Sequence, residues 1–349
     1  MIDPHVHLRD WGQSQADTIA HALRIAEKCG FTHLFDMPNT VPETVTSLEA
    51  FKKRIRTADE AGVHGIEYHT YIGLTGEEGQ IFDAMGICQD FFPKAIGLKL
   101  FLGPSTGNLE VCNEDALARI FEALSNRKYK GVLAVHCEDK RYFRPALYDA
   151  SDFSTHSIAR PPESEWRSVE AVIGFASKNG FEGVLHIAHV SCAQSVKIIK
   201  EKRKALPKMR ITFGVTPHHA LLTCEDAKDG KRLLKVNPPL RSSEDRRVVF
   251  ESLLDGTADW IESDHAPHTL ADKAKGASGI PGFAGFLHLI ATLRKAGITR
   301  KRLEELVCTN AAKTFGISTS ERDIQIPEDC ATLCREAQEE YSVSVYDGL

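Results

Sequence analysis

The run His5-Val6-His7-Leu8-Arg9 opens the chain with side chains that can do chemistry. On a β-strand, residues two apart point to the same side. His5 and His7 can therefore offer two imidazoles to one metal ion, and Arg9 follows on the same face. A guanidinium there matches a carboxylate with two parallel N–H donors. A His-X-His pair also occurs as ordinary polar strand residues. Its weight depends on further ligands recurring at later strand ends.

Such residues do recur. His136 closes a fifth apolar run, His189 a sixth and Asp264 an eighth. Four imidazoles and one carboxylate suit zinc and similar divalent ions. Lys99 sits inside the otherwise apolar run 95–102. A buried, unpaired ammonium is costly. The lysine either snorkels or pairs with an acid, or its neutral amine adds carbon dioxide and becomes a carbamate able to bridge two metal ions. His186 and His189 are three apart and face opposite ways on a strand. His189, nearer the strand end, is the ligand candidate, and His186 is structural. His33, His64, His69 and His288 default to packing or surface roles. His265 points away from Asp264 if strand geometry persists.

The elements that must carry these residues alternate. Strand-like runs fall at residues 2–8, 32–37, 66–74, 95–102, 131–137, 183–190, 210–216 and 258–263. Helical periodicity falls at 15–29, 47–61, 77–89, 114–125, 164–179, 193–206, 245–254, 286–295 and 301–313. Gly30 and Gly62 are stop signals. Eight strand–helix units predict an α/β fold, a (β/α)8 TIM-like barrel over residues 1–315 with its active face at the C-terminal strand ends. The long connection 139–162 reads as a loop over that face. The acidic tail 316–349 lacks a clear period. It covers the barrel base, joins a dimer contact or is mobile, and sequence does not choose among these.

The chain has 349 residues, 42% hydrophobic and 26% charged, with net charge -5. This is an ordinary globular composition. No basic stripe with interleaved aromatics points to nucleic acid. Nine scattered cysteines form no Cys-X-X-Cys pair, which favours reduced thiols over a disulfide framework. No apolar run is long enough for a bilayer, and chemistry-bearing residues start at position 3 with no signal peptide before them. The expectation is a cytoplasmic protein without membrane partners.

Taken in order, His5-X-His7-X-Arg9, Met37-Pro38-Asn39-Thr40, Gly97-Leu98-Lys99, Ala134-Val135-His136-Cys137-Glu138, His186-Ile187-Ala188-His189-Val190, Thr216-Pro217-His218-His219, Asn237-Pro238-Pro239-Leu240-Arg241 and Ser263-Asp264-His265-Ala266-Pro267-His268 resemble the dihydroorotases of the amidohydrolase superfamily. The resemblance runs from residue 3 to about residue 315. It implies a small-molecule enzyme of de novo pyrimidine (UMP) biosynthesis that interconverts (S)-dihydroorotate and N-carbamoyl-L-aspartate. It implies two Zn2+ ions per subunit. His5, His7 and Asp264 would hold one and His136 and His189 the other, with Lys99, carboxylated by carbon dioxide, and a hydroxide bridging them. Asp264 would be the catalytic general base and acid. Arg9, Asn39 and His268 would bind the substrate carboxylate. Backbone groups at Pro281 and Gly282 would line the ring, and Ser105 and Thr106 would reach the substrate from a mobile loop. A homodimer fits both base rate and family.

The chain departs from the family pattern in two places. Phe283-Ala284 replaces the usual Gly or Leu followed by Glu, which bears on helix packing. The small β-sandwich formed by flanking strands in many superfamily members should be absent. Two rival readings remain. One is another cyclic amidohydrolase, a dihydropyrimidinase, hydantoinase or allantoinase, whose rings lack the carboxylate that Arg9 would clamp. The other is a barrel paralogue without catalysis, acting as a structural partner.

Overall fold

The computed structural model describes residues 1–111, 113–228, 232–341 and 345–346. Among these, eight parallel strands follow one another in spatial order. They are β1 (Ile2–Val6), β2 (His33–Asp36), β3 (Glu67–Gly73), β4 (Ala95–Phe101), β5 (Val132–His136), β6 (Val184–Ile187), β7 (Arg210–Val215) and β8 (Trp260–Ile261). Each leads to a helix on the outer ring: α1 (Ile19–Lys28), α2 (Leu48–Glu60), α3 (Glu78–Asp90), α4 (Glu114–Asn126), α5 (Pro162–Lys178), α6 (Ala193–Ala205), α7 (Ser243–Leu254) and α8 (Phe283–Lys295). The predicted (β/α)8 barrel is the fold. Strands covered on both faces read as near-continuous apolar runs, and all seven residues of β4 are buried. Side-chain oxygens start the helices where the sequence offers them. Thr18 accepts from His21 N–H, Ser47 from Ala50 N–H and Asn113 from Ala116 N–H. No helix among the described residues is long and apolar enough to cross a membrane.

The barrel closes between β8 and β1. Val6 and His265 form a parallel bridge, and His7 N–H donates to His265 C=O at 2.7 Å. Ser263 N–H donates to the Asp3 carboxylate at 3.0 Å. β8 and β6 are shorter than the predicted 258–263 and 183–190. Asp264 and His189 adopt left-handed backbone, with φ of 48° and 38°. Such a residue cannot continue a strand, so both side chains are aimed by turns just past the strand ends.

The connection 139–162 is built rather than structureless. It carries short turns at Lys140–Tyr142 and Pro145–Leu147 and a helical turn at Thr155–Ala159. Backbone bonds pin it from Arg144 to Ala159 and from Asp139 to Ser164. In the tail, Asp323 meets His33 at the base of β2, and the helix Cys330–Glu340 packs along α8 and α1. Lys28 and Glu340 pair at 2.9 Å across that contact.

Behind β1 lies a fully buried ion pair. Arg54 of α2 donates from Nε to Asp36 Oδ2 at 2.9 Å, and also bonds the Leu8 and Arg9 carbonyls. Asp36 further accepts from Leu8 N–H and Tyr68 O–H. The network fixes the turn that carries Arg9. Removing one partner of a buried pair strands the other charge, at about 3–5 kcal/mol. Arg54→Met should therefore lower unfolding free energy by about that amount in a urea titration. A loss within the noise of a surface substitution would contradict this role.

Candidate active site

The strand ends bring the sequence-selected ligands together. His5 Nε2 and His7 Nε2 lie 3.3 Å apart. Asp264 Oδ1 is 3.4 Å from His5 Nε2 and 3.0 Å from His7 Nε2. These three residues can each offer an atom within 4.8 Å of the others. Across the barrel, His136 Nδ1 lies 3.1 Å from His189 Nε2. The His5 and His189 rings approach to 5.0 Å between centroids, which joins the two groups. Lys99 is fully buried on β4, with Nζ bonded to nothing among the described residues and 4.8 Å from the Phe101 ring centre.

These residues fit a pair of metal ions. Imidazole nitrogens face one another in pairs, and buried nitrogens of Lys99 and His189 have no hydrogen-bond partner among the described residues. Burial pulls His5 down to about 4 and His189 well below the usual range, so both imidazoles are neutral near pH 7. Burial alone would raise the Asp264 carboxyl, yet His7 and His5 hold it well below the usual range, and it is ionised. Burial brings the Lys99 ammonium down to about 8 against the opposing charges of Glu262 and Asp264. A neutral amine, the form that adds carbon dioxide, is then accessible near neutral pH.

A second layer of polar groups orients the imidazoles. Ligating histidines commonly donate their other ring N–H to a carboxylate or carbonyl. Here His7 Nδ1 meets Asn39 Oδ1 at 2.8 Å, whereas His136 Nε2, 3.1 Å from Glu138 Oε2, is beside a carboxylate without hydrogen-bond geometry. His5 Nδ1 faces Glu262 Oε1 at 3.6 Å. Glu262 also accepts from His189 N–H, Trp260 Nε1 at 3.0 Å and His186 Nε2 at 3.1 Å. His186 thus spends its two ring nitrogens on Thr212 and Glu262 and is not among the paired imidazoles. Burial opposes ionisation of Glu262, but His186 and His5 bring it well below the usual range. Gly214 on β7 leaves the space that the Glu262 carboxylate fills, since a Cβ there would collide with it.

Above the cluster opens a cavity of about 340 Å3. Arg9 lies at its wall, with Nε bonded to Pro267 C=O and Nη2 2.9 Å from His268 Nε2. Burial, reinforced by Arg9, holds His268 at about 3, so it is neutral. Asn39, Ser105, Thr106, Asn237 and Arg160 share the wall. Ala277, Ser278 and Gly279 form the side nearest the Gly-rich loop. Gly282 N–H goes instead to His265 Nδ1, and Pro281 precedes it in the same loop. Two larger clefts, of about 740 and 910 Å3, contain no histidine.

Several partners were not singled out from sequence. Glu262 and Glu138 carry a signal that could have found them: a carboxylate in or beside an apolar strand, the same anomaly that marks Lys99. Asn237, whose Oδ1 meets His156 Nε2 at 2.9 Å, stands in a motif quoted above but without a role there, and Arg160, which forks onto Glu138 through Nε and Nη2, shows no local signal. Phe283, one of the departures from the family pattern, stacks on His265 at 3.9 Å.

No family model matches the chain. Among curated proteins it is similar to the dihydroorotase of Bacillus caldolyticus, 33% identical over 349 residues, covering 97% of this chain and 78% of that protein. The dihydroorotase of Thermococcus kodakarensis is 32% identical over 347 residues, covering 98% and 74%. Among solved structures, L-hydantoinase (dihydropyrimidinase) from Arthrobacter aurescens superposes with a TM-score of 0.78 at 23% identity, covering 94% of this chain and 73% of that one. Dihydropyrimidinase from Brevibacillus agri gives 0.76 at 20%, covering 93% and 72%. At that identity the structural likeness is one of fold.

Replacing Glu262 by Gln keeps the shape and removes the charge behind His5 and His186. Outer partners of this kind change metal affinity by about 10–100-fold. Competition with a chelator should show zinc binding weakened by that order in Glu262→Gln. Unchanged affinity would remove Glu262 from the site.

Proposed function

This chain belongs to the dihydroorotase family of the amidohydrolase superfamily, and on that premise we propose that it opens and closes the ring of (S)-dihydroorotate, with N-carbamoyl-L-aspartate as the open form. The observation that carries this reading is the buried Arg9 guanidinium beside the imidazole–carboxylate cluster, flanked by Asn39 and His268. A carboxylate-bearing ring uses that charge, and an uncharged ring leaves it unpaired.

Two divalent ions, zinc in this proposal, held by His5, His7 and Asp264 and by His136 and His189 with carboxylated Lys99 shared between them, would polarise the ring carbonyl and activate water. The chain's own groups do the rest. Arg9 fixes the ring by its carboxylate with parallel N–H donors. Asn39 spends its carbonyl oxygen on His7, which leaves its amide N–H groups for the cavity. His268, neutral, completes that wall. Ring opening forms a C–O bond, breaks a C–N bond and moves one proton from water to the leaving nitrogen. Asp264, ionised at the cavity floor, takes that proton and delivers it, and works in the opposite sense for closure.

A rival reading is hydrolysis of an uncharged ring, the activity named for the solved structures of similar fold. Arg9 separates the two. Charge-assisted hydrogen bonds contribute about 1.5–3 kcal/mol, so Arg9→Met should lower kcat/KM for dihydroorotate by about 10–100-fold. The wild type should turn over dihydroorotate and leave dihydrouracil and hydantoin essentially untouched. Preference for an uncharged ring, or full dihydroorotate activity in Arg9→Met, would overturn the assignment.

A further inference from the structure

The C-terminal helix Cys330–Glu340 ends on Tyr341, whose side chain reaches in beneath the active face. Its hydroxyl lies 3.2 Å from His265 Nε2 and 3.0 Å from Asp17 Oδ2. His265 is fully buried and follows Asp264 directly. It touches three parts of the site. Its carbonyl accepts from His7 N–H at 2.7 Å, its Nδ1 accepts from Gly282 N–H at 3.1 Å, and its ring stacks on Phe283.

The hydrogen-bond directions are determined. A backbone N–H can only donate, so His265 Nδ1 is the acceptor and the ring proton of the neutral imidazole is on Nε2. That proton points to the Tyr341 oxygen. The Tyr341 hydroxyl then has its own proton for Asp17 Oδ2. Asp17 ends the chain, with Oδ1 accepting from Thr18 N–H at 2.7 Å and facing His21 Nδ1 at 2.7 Å. Asp17 Oδ2 itself stands 3.7 Å from His265 Nε2, beyond hydrogen-bond range, so Tyr341 bridges the two.

We propose that Tyr341 is a positioning residue for the reaction: its hydroxyl holds the His265 ring, and through it the Asp264 turn and the Gly279–Gly282 loop, in working register. Asp264 has a left-handed backbone at this point, and Gly282 packs so close that a Cβ would lie 2.6 Å from Ser263 C=O. A loosened His265 ring is thus transmitted to both. The tail acts as a clamp on the site that it does not enter.

The test compares Tyr341→Phe with Tyr346→Phe. Tyr346 lies in the same tail, and its buried hydroxyl has no hydrogen-bond partner among the described residues. Both variants lose one buried oxygen, but only one touches His265. The activity readout rests on the dihydroorotase reading; the spectroscopic one does not. With metal content matched, Tyr341→Phe should lower kcat for dihydroorotate about tenfold, the scale of such outer-layer contacts, with KM changed less than about twofold. Tyr346→Phe should leave kcat unchanged. In protein labelled with 15N-histidine, the His265 Nε2 proton should exchange slowly in the wild type and in Tyr346→Phe, and rapidly in Tyr341→Phe. Unchanged exchange and kcat in Tyr341→Phe, or equal losses in the two variants, would overturn the proposal. If the wild type does not act on dihydroorotate, the function reading fails and the exchange comparison alone decides.

Discussion

The Glu262 carboxylate is the group on which the site depends. It is fully buried, and it takes donors from His186 and the His189 backbone on and after β6 and from Trp260 on β8, with the His5 ring on β1 facing it at 3.6 Å. A buried carboxylate is tolerated only when such partners saturate it. Saturation in turn dictates where the partners stand. His5 and His189 are candidate ligands for different metal ions, and the one carboxylate bonds the backbone of His189 and faces the ring of His5. The bare backbone of Gly214 is the steric condition for this arrangement.

A second buried pair does the equivalent work for the substrate end. Arg54 and Asp36 grip the Leu8 and Arg9 backbone from behind, and Arg9 is then tied to Pro267 and His268 on the loop after β8. The same short stretch of chain thus carries two imidazoles inward and a guanidinium to the rim. Its far side is bonded to His265, so the seam that closes the barrel is also the seam along which the chemistry lies. Active sites at the C-terminal ends of barrel strands are general. In this chain the strands stop early, and left-handed turns at His189 and Asp264 do the aiming.

Much of this was legible in the sequence because it is local. Apolar runs and helical periodicity place the eight units, and chemically costly residues such as Lys99 stand out in those runs. His189 was selected over His186 by strand alternation, whereas the structure puts it in a turn past the strand. From that turn its Nε2 faces His136 Nδ1. What was hidden is long-range. Arg160 meets Glu138 and Tyr341 meets His265 only after the chain has folded, and nothing in their neighbours marks them. The tail was ambiguous for the same reason: an acidic, aperiodic stretch shows its helix and its docking only against α1 and α8.

The most direct test is anomalous diffraction at the zinc edge, from crystals of protein loaded with zinc in bicarbonate and grown with N-carbamoyl-L-aspartate. Two peaks should appear, one among His5, His7 and Asp264 and one at His136 and His189. Density should extend from Lys99 Nζ by a carboxyl group, and a ligand carboxylate should rest on Arg9. A single peak or none with Lys99 bare, or a ligand carboxylate turned away from Arg9, would contradict the account.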